Sequence, residues 1–229
     1  MKNLTVPLSR GEALWGKVYL LLEFFALPFL VIKGNLLAGN PLSDAAINFV
    51  LFGLNFICVT VIFRRFLLES LRNTAKHPIL LIQTVIKGLV LHYALSICVN
   101  FFIFILNPDF SNVNDDNIAQ MVQKNFTLMA IGTVLLAPPV EEILFRSLIF
   151  GRFYDRNKIL AYILSTVIFS AIHVLGYIDL YDWRTLLMCF VQYIPGSICL
   201  AWTYVAGDSI FAPILIHMTI NLISTLSLR

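Results

Sequence analysis

Residues 138–146 read PPVEEILFR, and apolar runs adjoin this stretch on both sides. Two adjacent carboxylates and a guanidinium are costly inside hydrocarbon, so ionisable side chains in such a segment indicate a functional site. The proline pair favours a broken or restarted helix, because proline fits the first turn of a helix and not its interior. A helix that restarts at Pro139 would place both glutamates in its first turn, where free N–H groups and the helix dipole favour anions.

The two glutamates of this stretch are expected to have different surroundings. Glu142 and Arg146 are four residues apart, so they share a helix face and can form an ion pair. Glu141 is rotated by about 100° from Glu142 and has no local cation. We therefore expect Glu142 and Arg146 to organise a site and Glu141 to be available for chemistry.

Composition places the whole chain in a membrane. Of its 229 residues, 59% are hydrophobic and only 13% are charged, and the mean hydropathy is +0.85, whereas a soluble domain carries about 25% charged residues. Recurrent apolar runs of about 20 residues predict an all-α, multi-pass transmembrane helical bundle. The predicted spans cover residues 13–32, 45–63, 79–106, 125–150, 159–176, 185–205 and 210–226. This pattern gives about seven spans, with six as the alternative if the first run lies flat or the third is partly interfacial.

Positive charges orient the predicted bundle. Three, four and three Lys or Arg residues fall in the segments 1–17, 64–78 and 151–158, respectively. One each falls in the segments 33–44, 107–124 and 177–184. The positive-inside rule then puts the N-terminus in the cytoplasm and the C-terminus outside. We predict a multi-pass protein of a bacterial-type plasma membrane that is surrounded by the lipid bilayer and has no nucleic-acid partner.

Polar side chains at helical spacing form three clusters in the second half of the chain. These clusters are Glu141, Glu142 and Arg146, then Phe169 and His173, then His217 and Asn221. Each cluster alone has an ordinary interpretation as an interhelical hydrogen bond or a helix staple. Intramembrane ionisable groups nevertheless face the bundle interior and seek one another, and facing helices build polar sites in bundles. The three clusters together therefore predict one site, to which Glu23, Lys87, His92 and Asn100 are not assigned.

These groups together suit the hydrolysis of an amide bond. Glu141 beside a neutral His173 can act as a general base for water. His217 and Asn221 can supply N–H donors to a developing oxyanion, and losing one such donor costs about 10²–10³ in rate. Two carboxylates and two histidines could instead bind zinc. The sequence has no HExxH motif and Arg146 competes for the carboxylate charge, so we predict no metal and no cofactor, with zinc as the alternative.

The order of the motifs on successive apolar segments resembles one known family. EE-x₃-R at 141–146, F-x₃-H at 169–173 and H-x₃-N at 217–221 are similar to the motifs of the CAAX protease and bacteriocin-processing family, also called CPBP or Abi. The resemblance covers residues 125–225 and implies a metal-independent glutamate intramembrane endopeptidase. On that pattern Glu141 and His173 would activate water. His217 and Asn221 would form the oxyanion hole, and Glu142 with Arg146 would organise the site.

The resemblance also implies substrates and a division of the chain. Residues 125–229 would form the catalytic core, and residues 1–124 would select a substrate or partner. The substrate would be a peptide precursor or a membrane-associated protein, in bacteriocin or pheromone processing or in self-immunity. The alternative is a non-proteolytic membrane regulator that binds another membrane protein, such as a sensor histidine kinase. A transporter fits less well, because the polar groups cluster in one half without repeated broken helices.

Overall fold

The computed structural model describes residues 4–228, and this part of the chain folds into nine helices. They are α1 (Arg10–Leu37), α2 (Asp44–Ile62), α3 (Arg64–Ala75), α4 (Pro78–Leu106), α5 (Val113–Lys124), α6 (Phe126–Tyr154), α7 (Lys158–Leu175), α8 (Trp183–Gly207) and α9 (Phe211–Ser227). Six of them are long and apolar enough to cross a membrane, namely α1, α2, α4, α6, α7 and α8. The apolar helix α9 has 17 residues, so the choice between six and seven spans depends on α9. The predicted all-α membrane fold is confirmed, and the cytoplasmic N-terminus stays a prediction.

Side-chain caps fix where several helices begin. Ser9 and Glu12 form a reciprocal capping box at the start of α1. The Glu12 carboxylate also accepts a hydrogen bond of 2.8 Å from the Phe66 N–H group in the first turn of α3, so one buried glutamate caps two helices. Polar side chains that cap α2, α5, α6, α7 and α8 belong to residue types preferred at this position: Ser43, Asn112, Asn125, Asn157 and Asp182.

Helix α6 lies at the centre of the bundle. In its most apolar 18-residue window 61% of the residues are buried, against 6–33% for the other five long helices. It packs against α1, α2, α7, α8 and α9. Its residues Ile143, Leu144 and Phe150 form the main core with Phe63 and Phe66, which lie next to one another at the α2–α3 junction. Any side chain on α6 is therefore within reach of several helices.

The proline pair does not break α6, contrary to the prediction. Two π-helical segments, Ile131–Leu136 and Ile143–Phe150, flank the α-helical segment Ala137–Glu142, which carries both prolines at its start. The wider turn before the prolines suits residues that lack an N–H group, so the helix passes through them without ending. Glu141 and Glu142 therefore lie in the interior of a continuous helix, where neither free N–H groups nor the helix dipole stabilises them.

Helix α3 replaces the basic connection predicted for residues 68–78. Its buried side chains recur every four residues, at Phe66, Ser70 and Thr74, which is the pattern of an amphipathic helix. The Thr74 Oγ1 atom lies 2.5 Å from the Ser209 Oγ atom. This contact holds α3 against the turn between α8 and α9.

Helix α5 occupies most of the predicted polar loop 107–124. Asn112 caps its start, and Val113, Met121 and Val122 are buried. A few apolar residues at helical spacing are enough to give a short helix a packing face, although they are too few for a membrane span. The segment has no apolar run long enough to span, so the predicted spans do not include this helix.

Candidate active site

Helices α6, α7 and α9 bring five of the six predicted polar side chains together, whereas Asn221 bonds to α6 at Thr133, about two turns before Glu141. Their polar side chains are Glu141, Glu142 and Arg146 on α6, His173 on α7, and His217 and Asn221 on α9. The side chains of Glu142 and Arg146 have no exposed surface, whereas 23% of the Glu141 side chain and 17% of the His173 side chain are exposed. The adjacent glutamates thus have different surroundings, since one is sealed in the bundle and the other is partly exposed.

Glu142 is held by nitrogen groups from two helices. Its Oε2 atom lies 3.1 Å from Nε of Arg146, one turn further along α6. Its Oε1 atom lies 2.9 Å from Nδ1 of His217 on α9. The Arg146 guanidinium also lies over the Phe169 ring, 4.5 Å from its centroid, in a cation–π contact. A buried carboxylate is tolerated when it is paired and hydrogen-bonded in this way.

Glu141 faces two imidazole rings. Its Oε2 atom lies 3.9 Å from Nε2 of His173 and 4.0 Å from Nε2 of His217. Both distances are longer than a direct hydrogen bond, and they are short enough for the three groups to act on one small molecule between them. Oε2 is buried and has no hydrogen-bond partner among residues 4–228. This carboxylate oxygen therefore lies between the two Nε2 atoms without a direct hydrogen bond to either.

The hydrogen bonds made by the Nδ1 atoms of the two histidines determine whether each Nε2 atom carries a hydrogen. His173 Nδ1 lies 2.8 Å from the Phe169 carbonyl oxygen, which can only accept, so Nδ1 carries the hydrogen and Nε2 of the neutral ring accepts. His217 Nδ1 donates to the Glu142 carboxylate, so its Nε2 carries a hydrogen only in the imidazolium form. His173 is thus arranged to accept a proton or hydrogen bond, and His217 to donate one when charged.

Asn221 is anchored to a π-helical part of α6. Its Nδ2 atom donates a hydrogen bond of 2.8 Å to the carbonyl of Thr133, which belongs to the segment Ile131–Leu136. A side-chain amide has two N–H groups, so one remains for another acceptor. His217 and Asn221, four residues apart, both reach α6, as expected for residues on one helix face.

Two ionisable residues that the sequence interpretation left out lie at the edge of the site. Glu23 belongs to a π-helical turn of α1, Leu22–Ala26, and interacts electrostatically with Glu141. His92 of α4 interacts electrostatically with His217, and it approaches α8 where Gly196 leaves room for its ring. The signal that could have identified both is the rarity of ionisable side chains within apolar spans.

The two other polar residues not assigned to the site are exposed on α4. Lys87 is exposed, and Asn100 accepts a hydrogen bond of 3.0 Å from Gln192 of α8.

The potential metal ligands between Leu4 and Leu228 are the His, Cys, Asp and Glu side chains. No group of three or more His, Cys, Asp or Glu side chains in that range is arranged to hold a metal ion. The Nδ1 atom of His217 and the Oε1 atom of Glu142 are engaged with each other. The absence of a metal and of a cofactor stays a prediction.

Known proteins resemble this chain over the region that contains the site. The family model of the "Type II CAAX prenyl endopeptidase Rce1-like" family matches residues 123–223, which include Glu141, His173, His217 and Asn221. The chain is also similar to the "Putative membrane peptidase YdiL" of Bacillus subtilis (strain 168), with 26% identity over 216 residues, 89% of this chain and 83% of that protein. No solved structure matches the chain significantly. The resemblance to the CAAX protease family is confirmed for residues 123–223, and the comparisons support a membrane peptidase.

Proposed function

We propose that this chain is a metal-independent, glutamate-type intramembrane endopeptidase. The observation that carries the proposal is the position of Glu141 Oε2, 3.9 and 4.0 Å from the Nε2 atoms of His173 and His217. A carboxylate between two imidazoles in an apolar bundle is suited to general acid–base chemistry. The match of residues 123–223 to the CAAX endopeptidase family and the similarity to YdiL support the same reaction class.

Glu141 and His173 activate the water in the proposed reaction. A water molecule between them donates one hydrogen bond to the Glu141 carboxylate and one to Nε2 of His173. Glu141 takes a proton as the water oxygen attacks the peptide carbonyl carbon. The new C–O bond forms while the carbonyl oxygen gains the negative charge of a tetrahedral oxyanion.

His217 and Asn221 stabilise this oxyanion. The donors are the Nε2–H group of the His217 imidazolium and the second Nδ2–H group of Asn221, each held by a hydrogen bond to α6. Glu142 favours the imidazolium because its carboxylate accepts from Nδ1. When the oxyanion collapses, the C–N bond breaks, and Glu141 returns its proton to the leaving nitrogen. Preorganised donors of this kind contribute about 10²–10³ each to the rate.

Glu142 and Arg146 position the other groups and take no part in the proton transfers. Arg146 supplies the charge that compensates Glu142 inside the bundle, and Glu142 in turn orients His217. A metal ion at this carboxylate would have to displace both nitrogen groups. This arrangement supports the metal-independent form of the proposal.

The proposed substrate is a peptide precursor, as in bacteriocin or pheromone processing, or a membrane-associated protein, with self-immunity as a second setting. We assign catalysis to residues 125–229 and substrate selection to residues 1–124. Two electrostatic interactions support this division, one between Glu23 and Glu141 and one between Asp115 of α5 and His173. Both of these carboxylates, Glu23 and Asp115, belong to residues 1–124.

The test uses the full chain in lipid nanodiscs and a library of peptides, prenylated and unprenylated, with cleavage sites read by mass spectrometry. Glu141→Gln keeps the shape of the side chain and removes its basicity, so kcat should fall by about 10²–10⁴ on any peptide that the wild type cleaves. Glu69→Gln, which changes a partly exposed glutamate paired with Arg65, is the matched control. Equal cleavage by Glu141→Gln and wild type would show that the proposal is wrong.

The alternative of a non-proteolytic regulator makes the opposite prediction. A protein that binds a partner such as a sensor histidine kinase through its helices should keep its cellular phenotype and its partner in the Glu141→Gln variant, provided that the variant accumulates in the membrane. If the chain is a peptidase, the Glu141→Gln variant should lose the cellular phenotype even when it accumulates in the membrane to the wild-type level.

A further inference from the structure

A tyrosine of α8 lies against the ring of His173. The two rings stack, with 4.3 Å between the centroids of His173 and Tyr193 and 30° between their planes. The Phe169 ring, one turn earlier on α7, lies 4.7 Å from the same imidazole. His173 is therefore in contact with an aromatic ring on its own helix and with another on the neighbouring helix.

The hydroxyl group of Tyr193 is fixed by α5. It donates a hydrogen bond of 3.0 Å to Oδ1 of Asp115 and accepts one of 2.9 Å from Nδ2 of Asn114. The Oδ1 atom of Asn112, the residue that caps α5, lies 3.4 Å away. A tyrosine commonly joins an apolar contact at its ring to a polar contact at its tip. Here the ring contacts His173 and the tip is held by another helix.

The hydrogen bond from His173 to the backbone does not by itself fix the orientation of the imidazole ring. The bond from Nδ1 to the Phe169 carbonyl holds one edge of the ring but leaves it free to tilt about that bond. A stacked ring from a different helix restricts this tilt, because offset aromatic rings keep a preferred distance and angle. Nε2 then points at Glu141 Oε2, at the observed 3.9 Å.

We propose that Tyr193 is a positioning residue for His173, whose imidazole plane it fixes by stacking while Asp115 and Asn114 hold its hydroxyl group. The inference rests on the proposed function, in which His173 and Glu141 activate water. The charged and titratable groups that face His173 are Glu141 from α6, Asp115 from α5, and His217 from α9 beyond Glu141. Tyr193 acts through His173 and does not touch the reacting atoms.

Variants at one position separate the ring from the hydroxyl group. Tyr193→Phe keeps the ring and should lower kcat by about 3- to 10-fold, as expected for one lost hydrogen-bonded anchor. Tyr193→Leu keeps apolar bulk without the ring and should lower kcat by about 10²-fold with little change in KM, because a misplaced catalytic group costs rate rather than binding. Tyr193→Met serves the same purpose if the leucine variant does not accumulate.

Tyr177 provides the matched control. Its hydroxyl group also bonds to α5, through Asn114 and Asn117, but its ring pairs with Tyr181. Tyr177→Leu should therefore retain kcat within about threefold, since it removes a comparable contact with α5 and leaves the stack on His173 in place. An equal loss of kcat in Tyr177→Leu and Tyr193→Leu would overturn the proposal, because the effect would then come from α5 and not from the stack.

A second measurement needs no substrate. Diethyl pyrocarbonate modifies unprotonated imidazole, and the rate at His173 can be compared by mass spectrometry with that at His77, which is exposed outside the site. Tyr193→Leu or Tyr193→Met should raise the ratio several-fold, while Tyr193→Phe keeps the wild-type value.

The two readouts together distinguish the inference from the function on which it rests. Wild-type kcat and an unchanged modification ratio in both Tyr193→Leu and Tyr193→Met, with Glu141→Gln inactive, would overturn the role of Tyr193 and leave the peptidase proposal standing. Full activity in Glu141→Gln would instead remove the proposed function.

Discussion

His217 donates its Nδ1 hydrogen to Oε1 of Glu142 over 2.9 Å, and this bond joins the last helix to the central one. Four residues later, Asn221 donates to the carbonyl of Thr133 on the same central helix. Helix α9 is thus attached to α6 at two successive turns by side chains that both belong to one sequence motif. Whatever α9 presents to Glu141 is held in place by these two bonds.

Removing one member of the buried ion pair should be more harmful than removing both. Arg146→Met removes the ion-pair partner of Glu142 at zero exposure and should lower the free energy of unfolding by about 3–5 kcal/mol. The double variant Glu142→Gln with Arg146→Met should lose less free energy of unfolding than Arg146→Met alone. The measurement is equilibrium unfolding in mixed detergent micelles, and additive losses would contradict a coupled pair.

The remaining N–H group of Asn221 should be required for the chemical step. Asn221→Ala is expected to lower kcat by about 10²–10³ while KM changes little, because an oxyanion donor acts mainly in the transition state. Thr219→Ala is the control, since Thr219 is on the same helix and bonds only to its own backbone at Leu215. A loss confined to KM would assign Asn221 to substrate binding.

Chelators should leave the activity unchanged. The proposed reaction uses Glu141 and His173 to activate water, with no metal-bound hydroxide. Peptide cleavage is therefore expected to persist in excess EDTA or phenanthroline after dialysis, at the untreated rate. Activity that is lost on chelation and restored by zinc alone would favour the zinc alternative.

The buried carboxylate of Glu12 should stabilise the fold far from the site. It accepts hydrogen bonds from the N–H groups of Ser9 and Phe66, at 2.9 and 2.8 Å. Glu12→Ala leaves two helix N-termini without their acceptor and should cost about 1–3 kcal/mol, seen as a lower thermal midpoint. Glu69→Ala, at the exposed Arg65 pair, should have little effect on that midpoint.

The cap of α8 gives a prediction about acid. Hydrogen bonds from the Thr185 hydroxyl and backbone N–H groups, and from the Arg184 N–H group, hold the pKa of Asp182 below its ordinary value of 3.8. A carboxyl whose pKa is lowered by folding stabilises the fold above its unfolded pKa and loses this contribution as the pH falls through the folded value. Asp182→Asn keeps a capping side chain that does not titrate. We expect the thermal midpoint of this variant to fall less than that of the wild type below about pH 4. An equal fall in both proteins would argue against a stabilising role of the cap.

The parts of the molecule that could be predicted from sequence depend on periodicity and on the cost of charge in hydrocarbon. The apolar runs gave the long helices. The four-residue spacings gave the shared faces of Glu142 with Arg146 and of His217 with Asn221. The end of α6, predicted at residue 150, lies at Tyr154, and Glu141 on this helix lies 3.9 Å from His173 on α7.

The remaining features depend on contacts between helices that no local pattern specifies. The π-helical turns of α6 allow the helix to continue through its two prolines. No local sequence pattern indicates these turns, so the proline pair predicts a break in the helix. Tyr193 belongs to no motif, and its importance appears only where its ring meets His173. Glu23 and His92 look like isolated polar residues until α1 and α4 pack beside the site.

The contacts of Glu142 with Arg146 and His217 also imply an order in which the site assembles during membrane insertion. Its cation Arg146 lies on the same helix, one turn away, so α6 can leave the translocon with its charges already neutralised by each other. His217 and Asn221 are translated some seventy residues later, and until α9 is released from the ribosome the nascent chain has neither oxyanion donor. On the proposed function, the chain therefore cannot cleave a peptide before α9 is inserted, because α9 carries both oxyanion donors.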